Sequence, residues 1–472
     1  MPKVAVIGAG SIVFASRLIA DILSYEHLRD TQFALVDTDP ERLDFAKRIT
    51  DRIIAEGGYT GAGYVASTER RDVLEGCDYV IASILVGGYD AIEKEIDIPM
   101  KYGVSQAIGD TLTPGGIMRC LRTLPHLAGL AKDVVDLCPE AQVLNYTNPM
   151  AMLCWGMYSA VPEVNLVGLC HSVQGGVGEW SRRLGIDASE VNFVCAGINH
   201  QSWFLKFERE GEDLLPKIRA FATQPETWLG DTSRMEYLKH FGYPVTESSG
   251  HNTEYSPWFR KSEETIAQYA PNGGWNGAHG HIKHLYDRPD WRDHMERLAS
   301  GERPIKLHRS IEYGSQIVSA MEGGEQVVIN GNVPNDGLID NLPPHCCVEV
   351  PCFVDRNGVQ PIRVGALPKH LAAINRTQVG VQELAKEAAL ACDPEMVFQA
   401  MCMDPLTGMC CTLDQIRAMT SELLDAHAAY LPGFAGKTLA AQPVMIGCKA
   451  EEHEKHVDPG EAAAAENEDK WK

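Results

Sequence analysis

Basic residues are scarce in this chain. Its 472 residues include 42 lysines and arginines against 64 aspartates and glutamates, a formal net charge of -22 at pH 7. Nucleic acids and anionic membranes bind basic surfaces, so this deficit argues against both as partners. The sequence has no apolar run of about 18 residues and no basic-then-apolar leader, so we expect neither a membrane span nor a secretory signal. A cytoplasmic protein is therefore expected.

A disulfide framework is also lacking. The 14 cysteines follow no regular spacing, and several of them, including Cys77, Cys154 and Cys195, stand inside apolar runs. Such usage predicts reduced thiols that are mostly buried.

The N-terminus does carry a dinucleotide-binding pattern. The run Val4 to Phe14, VAVIGAGSIVF, predicts a buried strand that turns sharply through Gly8, Gly10 and Ser11 into a helix. Gly8 can adopt the tight turn, and Gly10 lets the backbone approach a pyrophosphate at the helix N-terminus. Val13 replaces the third glycine of the fingerprint, so the pattern is weak when taken alone.

An acidic residue follows the second predicted strand. Phe33 to Val36 ends at Asp37, where a carboxylate can accept hydrogen bonds from both ribose hydroxyls and favours NAD over NADP. Alternatively, Asp37 and Asp39 cap the next helix, since Asp39-Pro40 is a good N-cap and N1 pair. Both interpretations can hold, with Asp37 on the ribose and Asp39 on the helix.

Strands and helices then alternate as in a doubly wound parallel sheet. Further strands are predicted near residues 64–66, 79–85, 142–145 and 165–169. Gly87, after the fourth strand, allows close approach of a ligand or forms an ordinary turn. The regular alternation of predicted strands and helices ends after Gly185. We expect an α/β protein with a Rossmann-like NAD-binding domain over 1–195, a C-terminal α+β catalytic domain over 196–440, and an acidic, disordered tail over 450–472.

Polar residues follow the predicted strands at the edge where a parallel sheet binds its ligands. The run 110–119, DTLTPGGIMR, predicts a loop that carries Asp110 and Arg119, which contact a sugar or form a buried ion pair. Asn148 after the fifth strand is structural or binds substrate. Cys170 after the sixth strand and His200 further on could supply one thiolate and one imidazole to a divalent metal, leaving positions for substrate oxygens.

Together these motifs resemble glycoside hydrolase family 4, and within it the melibiase-type α-galactosidases. The resemblance rests on GAGS, DTLTPGGIMR, LNYTNPMAM, GLCHS, AGINH, VTESS with the following EY, and NGNVPNDGLIDNLP with VEVP. It extends to about Pro432, and the order of these motifs is highly specific. The implied fold resembles that of lactate and malate dehydrogenases. The implied assembly is a homodimer or homotetramer.

The resemblance implies hydrolysis through a redox cycle. In this family NAD oxidises the sugar hydroxyl at carbon 3, a divalent metal, typically Mn2+, binds the oxygens at carbons 2 and 3, and loss of the carbon 2 proton expels the glycosidic oxygen. Water then adds and NADH returns the hydride. Matched to the family's positions, Cys170 and His200 are metal ligands, Asn148 contacts substrate beside the nicotinamide, and His171 is the acid that protonates the leaving oxygen.

The base that removes the carbon 2 proton does not match directly. Where other branches place tyrosine or aspartate, this chain has Glu247-Ser248-Ser249, with His251 and Tyr255 nearby. Tyr255 or His251 is favoured over Ser248.

Other functions remain open at this stage. An α-galacturonidase or α-glucosidase is the alternative within the family, since Arg260 and Lys261 could receive a charged sugar. An NAD-dependent hydroxy-acid dehydrogenase and a non-catalytic NAD-binding protein are alternatives of other classes. The first lacks a recognisable keto-acid site here, and the second has no use for Cys170, His171 and His200 together.

Overall fold

The structure is a computed structural model that describes residues 1–11, 15–271 and 291–442. Residues 1–438 belong to one compact unit, and the described residues 439–442 belong to a second. The predicted acidic tail, 450–472, and Val13 lie outside the described residues.

Six parallel strands form the first half of the sheet. They are β1 (Lys3–Ile7), β2 (Gln32–Val36), β3 (Gly63–Ser67), β4 (Tyr79–Ala82), β5 (Gln142–Asn145) and β6 (Leu166–Leu169), in the spatial order β3-β2-β1-β4-β5-β6. The α-helices between these strands and directly after β6 are α1 (Ala15–Leu23), α2 (Pro40–Gly57), α3 (Gly88–Lys101), α4 (Thr113–Leu137), α5 (Met150–Ala160) and α6 (Ser172–Leu184). This strand order is that of the dinucleotide-binding Rossmann fold, as predicted.

The same sheet continues through antiparallel strands. They are β7 (Asn192–Ile198), β8 (Gln201–Arg209), β9 (Glu212–Asp213), β10 (Val327–Pro334), β11 (Cys347–Asp355) and β12 (Gly358–Pro361). The order from β6 is β6-β10-β11-β7-β8-β9, and β12 pairs with β11. The described part of the chain thus has one sheet that passes from parallel to antiparallel between β6 and β10.

Eleven further α-helices are described after β9. They are α7 (Leu215–Phe221), α8 (Pro225–Gly230), α9 (Thr232–Phe241), α10 (Ser249–Asn252), α11 (Glu263–Tyr269), α12 (Trp291–Ser300), α13 (Tyr313–Met321), α14 (Lys369–Ala391), α15 (Pro394–Met403), α16 (Pro405–Cys410) and α17 (Leu413–Ala426). Helix α14 packs on both α4 and α5. One hydrophobic core therefore contains side chains from the parallel strands and from the C-terminal helices.

Two local predictions differ from the structure. The strand expected over 79–85 ends at Ala82, and the loop expected over 110–119 becomes helix α4 from Thr113 onwards. Pro114 explains the second difference, because proline is well tolerated in the first helical turn, where its missing N–H has no intrahelical partner to lose. The division into domains near residue 195 stays a prediction. Among the described residues, none of the helices is both long and apolar enough to cross a membrane.

Candidate functional site

The glycine turn after β1 packs directly against its neighbours. Gly8 has φ +84, and a Cβ there would lie 2.1 Å from the carbonyl oxygen of Ser83. A Cβ on Gly10 would lie 2.4 Å from the Cβ of Arg42. The Ser11 N–H donates to the Gly8 carbonyl at 2.9 Å, which closes the turn. Only glycine fits at these two positions without a shift of the surrounding backbone.

The cap expected of Asp39 is observed, whereas the ribose contact of Asp37 stays a prediction. Asp39 caps α2 by accepting hydrogen bonds from Glu41 N and Arg42 N. Asp37 accepts the Gly10 N–H at 2.9 Å and the Asp39 N–H at 3.0 Å, so it holds the glycine turn beside the end of β2. The Arg42 side chain donates to the Gly10 carbonyl at 3.4 Å, and its guanidinium lies 4.1 Å from the ring centre of Trp291.

Gly87 and Asn148 occupy the same edge of the sheet. Gly87 has φ +77 and stands at the N-cap of α3, where a Cβ would lie 2.8 Å from the Cβ of Ala91. The Asn148 amide donates to Asp110 Oδ2 at 3.2 Å, while its Oδ1 is buried and has no partner among the described residues. A cradle that excludes side chains, a strand-end acid and an unsatisfied amide oxygen together fit a bound dinucleotide and its substrate.

Asp110, His251 and Tyr255 meet in a buried cluster beside Asn148. Asp110 Oδ1 and the Tyr255 hydroxyl lie 3.0 Å and 2.6 Å from His251 Nε2. All three residues are at most 4% exposed. Arg119, 2% exposed, lies 3.8 Å from Asp110 and 3.9 Å from Glu95, so it is enclosed in an ion-pair network with two acids. The ion-pair interpretation of Arg119 thus accounts for its surroundings.

His200 joins this cluster to Cys170. Its Nδ1 lies 2.7 Å from Thr111 Oγ1 and 3.1 Å from the Tyr255 hydroxyl. Its Nε2 lies 3.4 Å from Cys170 Sγ and 3.5 Å from Glu247 Oε2. Neighbours on Nδ1 orient the ring and leave Nε2 to face the thiol, which is how metal-binding histidines are held. A sulfur and a nitrogen at this separation fit one divalent ion.

The charges of the cluster follow from its ion pairs. Burial opposes ionisation of Asp110, but His251 and Arg119 hold the pKa of its carboxyl well below the usual value. Burial also opposes a charged imidazole, yet Asp110 and Glu247 raise the pKa of His251 well above its usual value. Cys170 and Glu247 outweigh burial at His200 and raise its pKa to about 9. The acids and imidazoles therefore form a charged, mutually neutralising group.

Tyr255 keeps its proton in this environment. Burial, followed by the charges of Glu247, Asp110 and Glu254, raises the pKa of its phenol well above the usual value.

A second set of candidate metal ligands lies in the same cluster. One donor atom each from Asp110, His200 and His251 lies within 4.8 Å of the others. The Tyr255 hydroxyl is within hydrogen-bonding distance of both rings, so this set already forms a connected hydrogen-bond network. The Cys170 and His200 pair is the better candidate for an ion, because His200 Nε2 is turned toward the thiol and away from that network.

His171 is placed differently from the other predicted residues. It stands at the N-cap of α6 with a side chain that is 57% exposed, and its Nδ1 lies 3.9 Å from Glu312 Oε1. It therefore follows Cys170 directly in the chain and faces solvent.

Glu254 and Arg260 hold the loop before Asp110, a role that the sequence did not reveal. Glu254 is fully buried and accepts the N–H groups of Ala107, Ile108 and Gly109 at 2.6 to 3.2 Å. Arg260 is 1% exposed and donates to the carbonyls of residues 105 and 106. One acid and one base, six residues apart around an aromatic run, thus hold the loop that leads to Asp110. Their opposite charges were the only signal available in the sequence.

Rossmann topology, a strand-end acid and a thiol–imidazole pair at the ligand edge of the sheet define a class of dinucleotide-dependent enzymes. Comparison with known proteins narrows this class. The model for the family 4 glycosyl hydrolases matches residues 3–186, and that for the family 4 glycosyl hydrolase C-terminal domain matches residues 195–407. The chain belongs to family 4 of the glycosyl hydrolases.

Individual relatives agree with this membership. An α-galactosidase of Rhizobium meliloti (strain 1021) is 38% identical, over 93% of this chain and 91% of its own. An α-galacturonidase of Lachnoclostridium phytofermentans is 32% identical, over 91% of this chain and 97% of its own. The crystal structure of a 6-phospho-α-glucosidase from gut microorganisms, in complex with NAD and Mn2+, has a TM-score of 0.75 at 17% identity and covers 91% of this chain and 99% of its own. That structure supports the fold.

Proposed function

We propose that this protein is an NAD- and divalent-metal-dependent α-galactosidase. The observation that carries the proposal is the 3.4 Å approach of Cys170 Sγ to His200 Nε2 beside the Asp110, His251 and Tyr255 cluster. A glycine turn for a dinucleotide stands at the end of the same sheet. The similarity to an α-galactosidase at 38% identity over nearly the whole chain supports the choice of reaction and glycone.

We assign separate residues to the cofactor and to the metal. Gly8, Gly10, Ser11, Asp37 and Gly87 would hold NAD, and Cys170 and His200 would hold the metal, Mn2+ being the ion found in the related 6-phospho-α-glucosidase. When bound, NAD would accept and return a hydride at carbon 3 of the sugar, and the metal would polarise the oxygens at carbons 2 and 3. No side chain can supply the hydride transfer or the polarisation by a metal ion.

The chain itself handles the protons and the sugar. We assign removal of the carbon 2 proton to Tyr255 or His251, which lie 2.6 Å apart. Because the surrounding acids keep both groups protonated, one of them would first have to lose its proton, which the positive charge of the bound metal beside His200 would favour. Asp110 fixes the His251 ring, and Asn148 has a buried oxygen that a sugar hydroxyl would satisfy. His171, exposed beside Cys170, would protonate the departing oxygen.

The buried cations nearest this cluster favour a neutral glycone. Within the described residues, Arg119 is paired with Asp110 and Glu95, and Arg260 is engaged by backbone carbonyls. Recruiting Arg260 to a uronate or a phosphate would take a donor from those carbonyls, which is costly. Recruiting Arg119 would remove positive charge from two buried acids, although Asp110 would still bind His251 and Glu95 would still bind Arg122. The 32% identity to an α-galacturonidase keeps galacturonides as the second candidate.

Hydrolysis of p-nitrophenyl α-galactoside tests the proposal, with NAD and Mn2+ added or withheld under reducing conditions. We expect turnover that needs both and leaves no NADH behind, because the hydride returns to the sugar. Turnover without metal would contradict the proposal, and stoichiometric release of NADH would point to a hydroxy-acid dehydrogenase. A faster reaction with the α-galacturonide would change the glycone alone.

We also propose a cytoplasmic homodimer or homotetramer built from a 1–195 NAD-binding domain and a 196–440 catalytic domain. The thirteen cysteines of the described residues are all free thiols, which suits a reducing compartment. Met403, Met409 and Leu413 are more than half exposed on α15, α16 and α17, and such apolar surface is typical of contacts between subunits. Light scattering on the purified protein tests the assembly, and a monomeric mass would contradict it.

A further inference from the structure

One row of residues crosses four strands below the proposed metal site. Gly168 of β6 is directly opposite Asn332 of β10, Asn332 is opposite Glu349 of β11, and Glu349 is opposite Gly197 of β7. Directly opposed residues share a face of the sheet. Asn332 and Glu349 therefore point their side chains to the same side, between the strands that end near Cys170 and His200.

The two side chains form a continuous hydrogen-bonded bridge. Asn332 Nδ2 donates to the Gly168 carbonyl at 3.2 Å and to Glu349 Oε1 at 3.3 Å. Glu349 Oε2 accepts the Ser202 hydroxyl at 2.7 Å, and Oε1 accepts the Asn199 amide at 3.4 Å. Asn332 and Glu349 are fully buried, so solvent does not compete for these bonds and their geometry is strongly fixed.

Each end of this bridge stands beside one of the proposed metal ligands. Gly168 precedes Cys170 by two residues at the end of β6. Asn199 and Ser202 flank the turn between β7 and β8, where His200 has φ +65, a left-handed conformation that is uncommon outside glycine. Such a residue stays in place only when its surroundings hold it. Glu349 holds this turn by hydrogen bonds on both sides of His200, to Asn199 and to Ser202.

We propose that the Asn332 and Glu349 bridge sets the separation of Cys170 and His200 and thereby the affinity for the metal. Two strands lie between β6 and β7, so no backbone pairing joins the two ligands directly. The bridge adds side-chain bonds that run from β6 through β10 and β11 to Asn199 in the turn after β7 and to Ser202 at the start of β8. Asn332 and Glu349 act here as positioning residues. The inference rests on the proposed function insofar as Cys170 and His200 bind the metal.

Mn2+ titration of the full-length protein with NAD present, followed by electron paramagnetic resonance of the free ion, tests the bridge. We expect Asn332→Ala to weaken Mn2+ binding about 10- to 100-fold, the range found when groups that orient metal ligands are removed. NAD affinity should stay as in the wild type, since β1, which leads into the glycine turn, is separated from β6 by β4 and β5.

Asn335→Ala is the matched control. Asn335 is 2% exposed and follows the same strand, β10, but its amide binds only the loop of residues 338–343. Both variants lose a buried asparagine and some thermal stability. Only Asn332→Ala should lose metal affinity, which a general loss of stability would not produce.

Three outcomes would overturn the inference. Wild-type Mn2+ affinity in folded Asn332→Ala is the first. If that variant does not fold, Glu349→Gln replaces it, because glutamine keeps the shape but offers a single acceptor to Asn199 and Ser202; wild-type affinity there is the second. The third is wild-type affinity in Cys170→Ser, which would remove Cys170 from the metal site and contradict the proposed function as well. If only Cys170→Ser loses Mn2+ affinity, the role of the bridge is contradicted and the proposed function is not.

Discussion

Tyr255 contacts two imidazoles at once. Its hydroxyl lies 2.6 Å from His251 Nε2 and 3.1 Å from His200 Nδ1, and the nearby acids keep its phenol protonated. The residue thus stands between the group proposed to hold the metal and the group proposed to hold a proton. Because the hydroxyl contacts both groups, we expect turnover to be sensitive to its removal.

Removing that hydroxyl should slow turnover and leave cofactor binding intact. For Tyr255→Phe we expect kcat to fall about 10²- to 10⁴-fold, the usual contribution of a positioned proton-transfer group. Exchange of the carbon 2 proton with deuterated solvent should fall in parallel.

Tyr237→Phe serves as the control, because Tyr237 is equally buried and its hydroxyl faces Ser256 and Gln201, away from the two imidazoles. An unchanged exchange rate in Tyr255→Phe would assign the base elsewhere.

At the scale of elements, the segment from α10 to Arg260 holds the loop before α4. Glu254 accepts hydrogen bonds from the N–H groups of residues 107–109, and Arg260 donates to the carbonyls of residues 105 and 106. The same short segment carries His251 and Tyr255. Asp110, at the end of the held loop, therefore meets His251 in a fixed orientation.

Glu254→Gln should loosen that loop. The substitution removes the charge and offers one acceptor where the carboxylate has two, so at least one buried N–H loses its bond. We expect faster hydrogen exchange at residues 107–109 and a fall in kcat.

Residues 338–342 provide the reference, since Asn335 holds that loop independently. Equal exchange in wild type and variant at residues 107–109 would show that Glu254 does not hold the loop.

Asp404 at the N-cap of α16 should make stability depend on pH. Burial raises the pKa of its carboxyl to about 6 from 3.8, although it accepts bonds from Thr407 and Thr113. A raised pKa in the folded state means that this group stabilises the fold fully below about pH 4 and loses that contribution as the pH rises through 6. The loss amounts to about 3 kcal/mol for a shift of this size.

Asp404→Asn should remove this dependence, because an amide keeps an acceptor at the cap and does not ionise. Urea unfolding at pH 5 and pH 8 measures it. From pH 5 to pH 8 the wild type should lose free energy of unfolding that the variant keeps, so the difference, variant minus wild type, should become more positive. A constant difference would contradict the assignment.

At the scale of the whole molecule, the parallel and antiparallel strands share one sheet and one core. Strand β6 pairs with β10 through Leu169 and Gly168, and α14 covers α4 and α5. A fragment of residues 1–195 would expose the edge of β6 and the apolar faces under α14.

We expect that fragment to be insoluble or partly unfolded when it is produced alone. Circular dichroism and NAD binding measure the result, with the full chain as the reference. A soluble fragment that binds NAD with the affinity of the full chain would show that the first domain folds independently.

The sequence was most informative where a function depends on neighbouring residues. The glycine turn, the acid after β2 and the cap of α2 are local, and so is the position of Cys170 at a strand end. Glu254 and Glu349 depend on partners about 150 residues away, and no local pattern marks such contacts. The loop predicted over 110–119 was wrong in its second half because glycine and proline, which usually break helices, stand there in the first turn of one.

The contact between Arg42 and Trp291 has an optical consequence. The guanidinium that lies over the indole also touches the carbonyl of Gly10 in the cofactor turn. An indole in such surroundings changes its emission when the nearby charge shifts, so Trp291, one of eight tryptophans in the chain, would act as an intrinsic fluorescent reporter of dinucleotide binding. Trp291→Phe would silence that signal without touching the thiol, the imidazoles or the acids of the site.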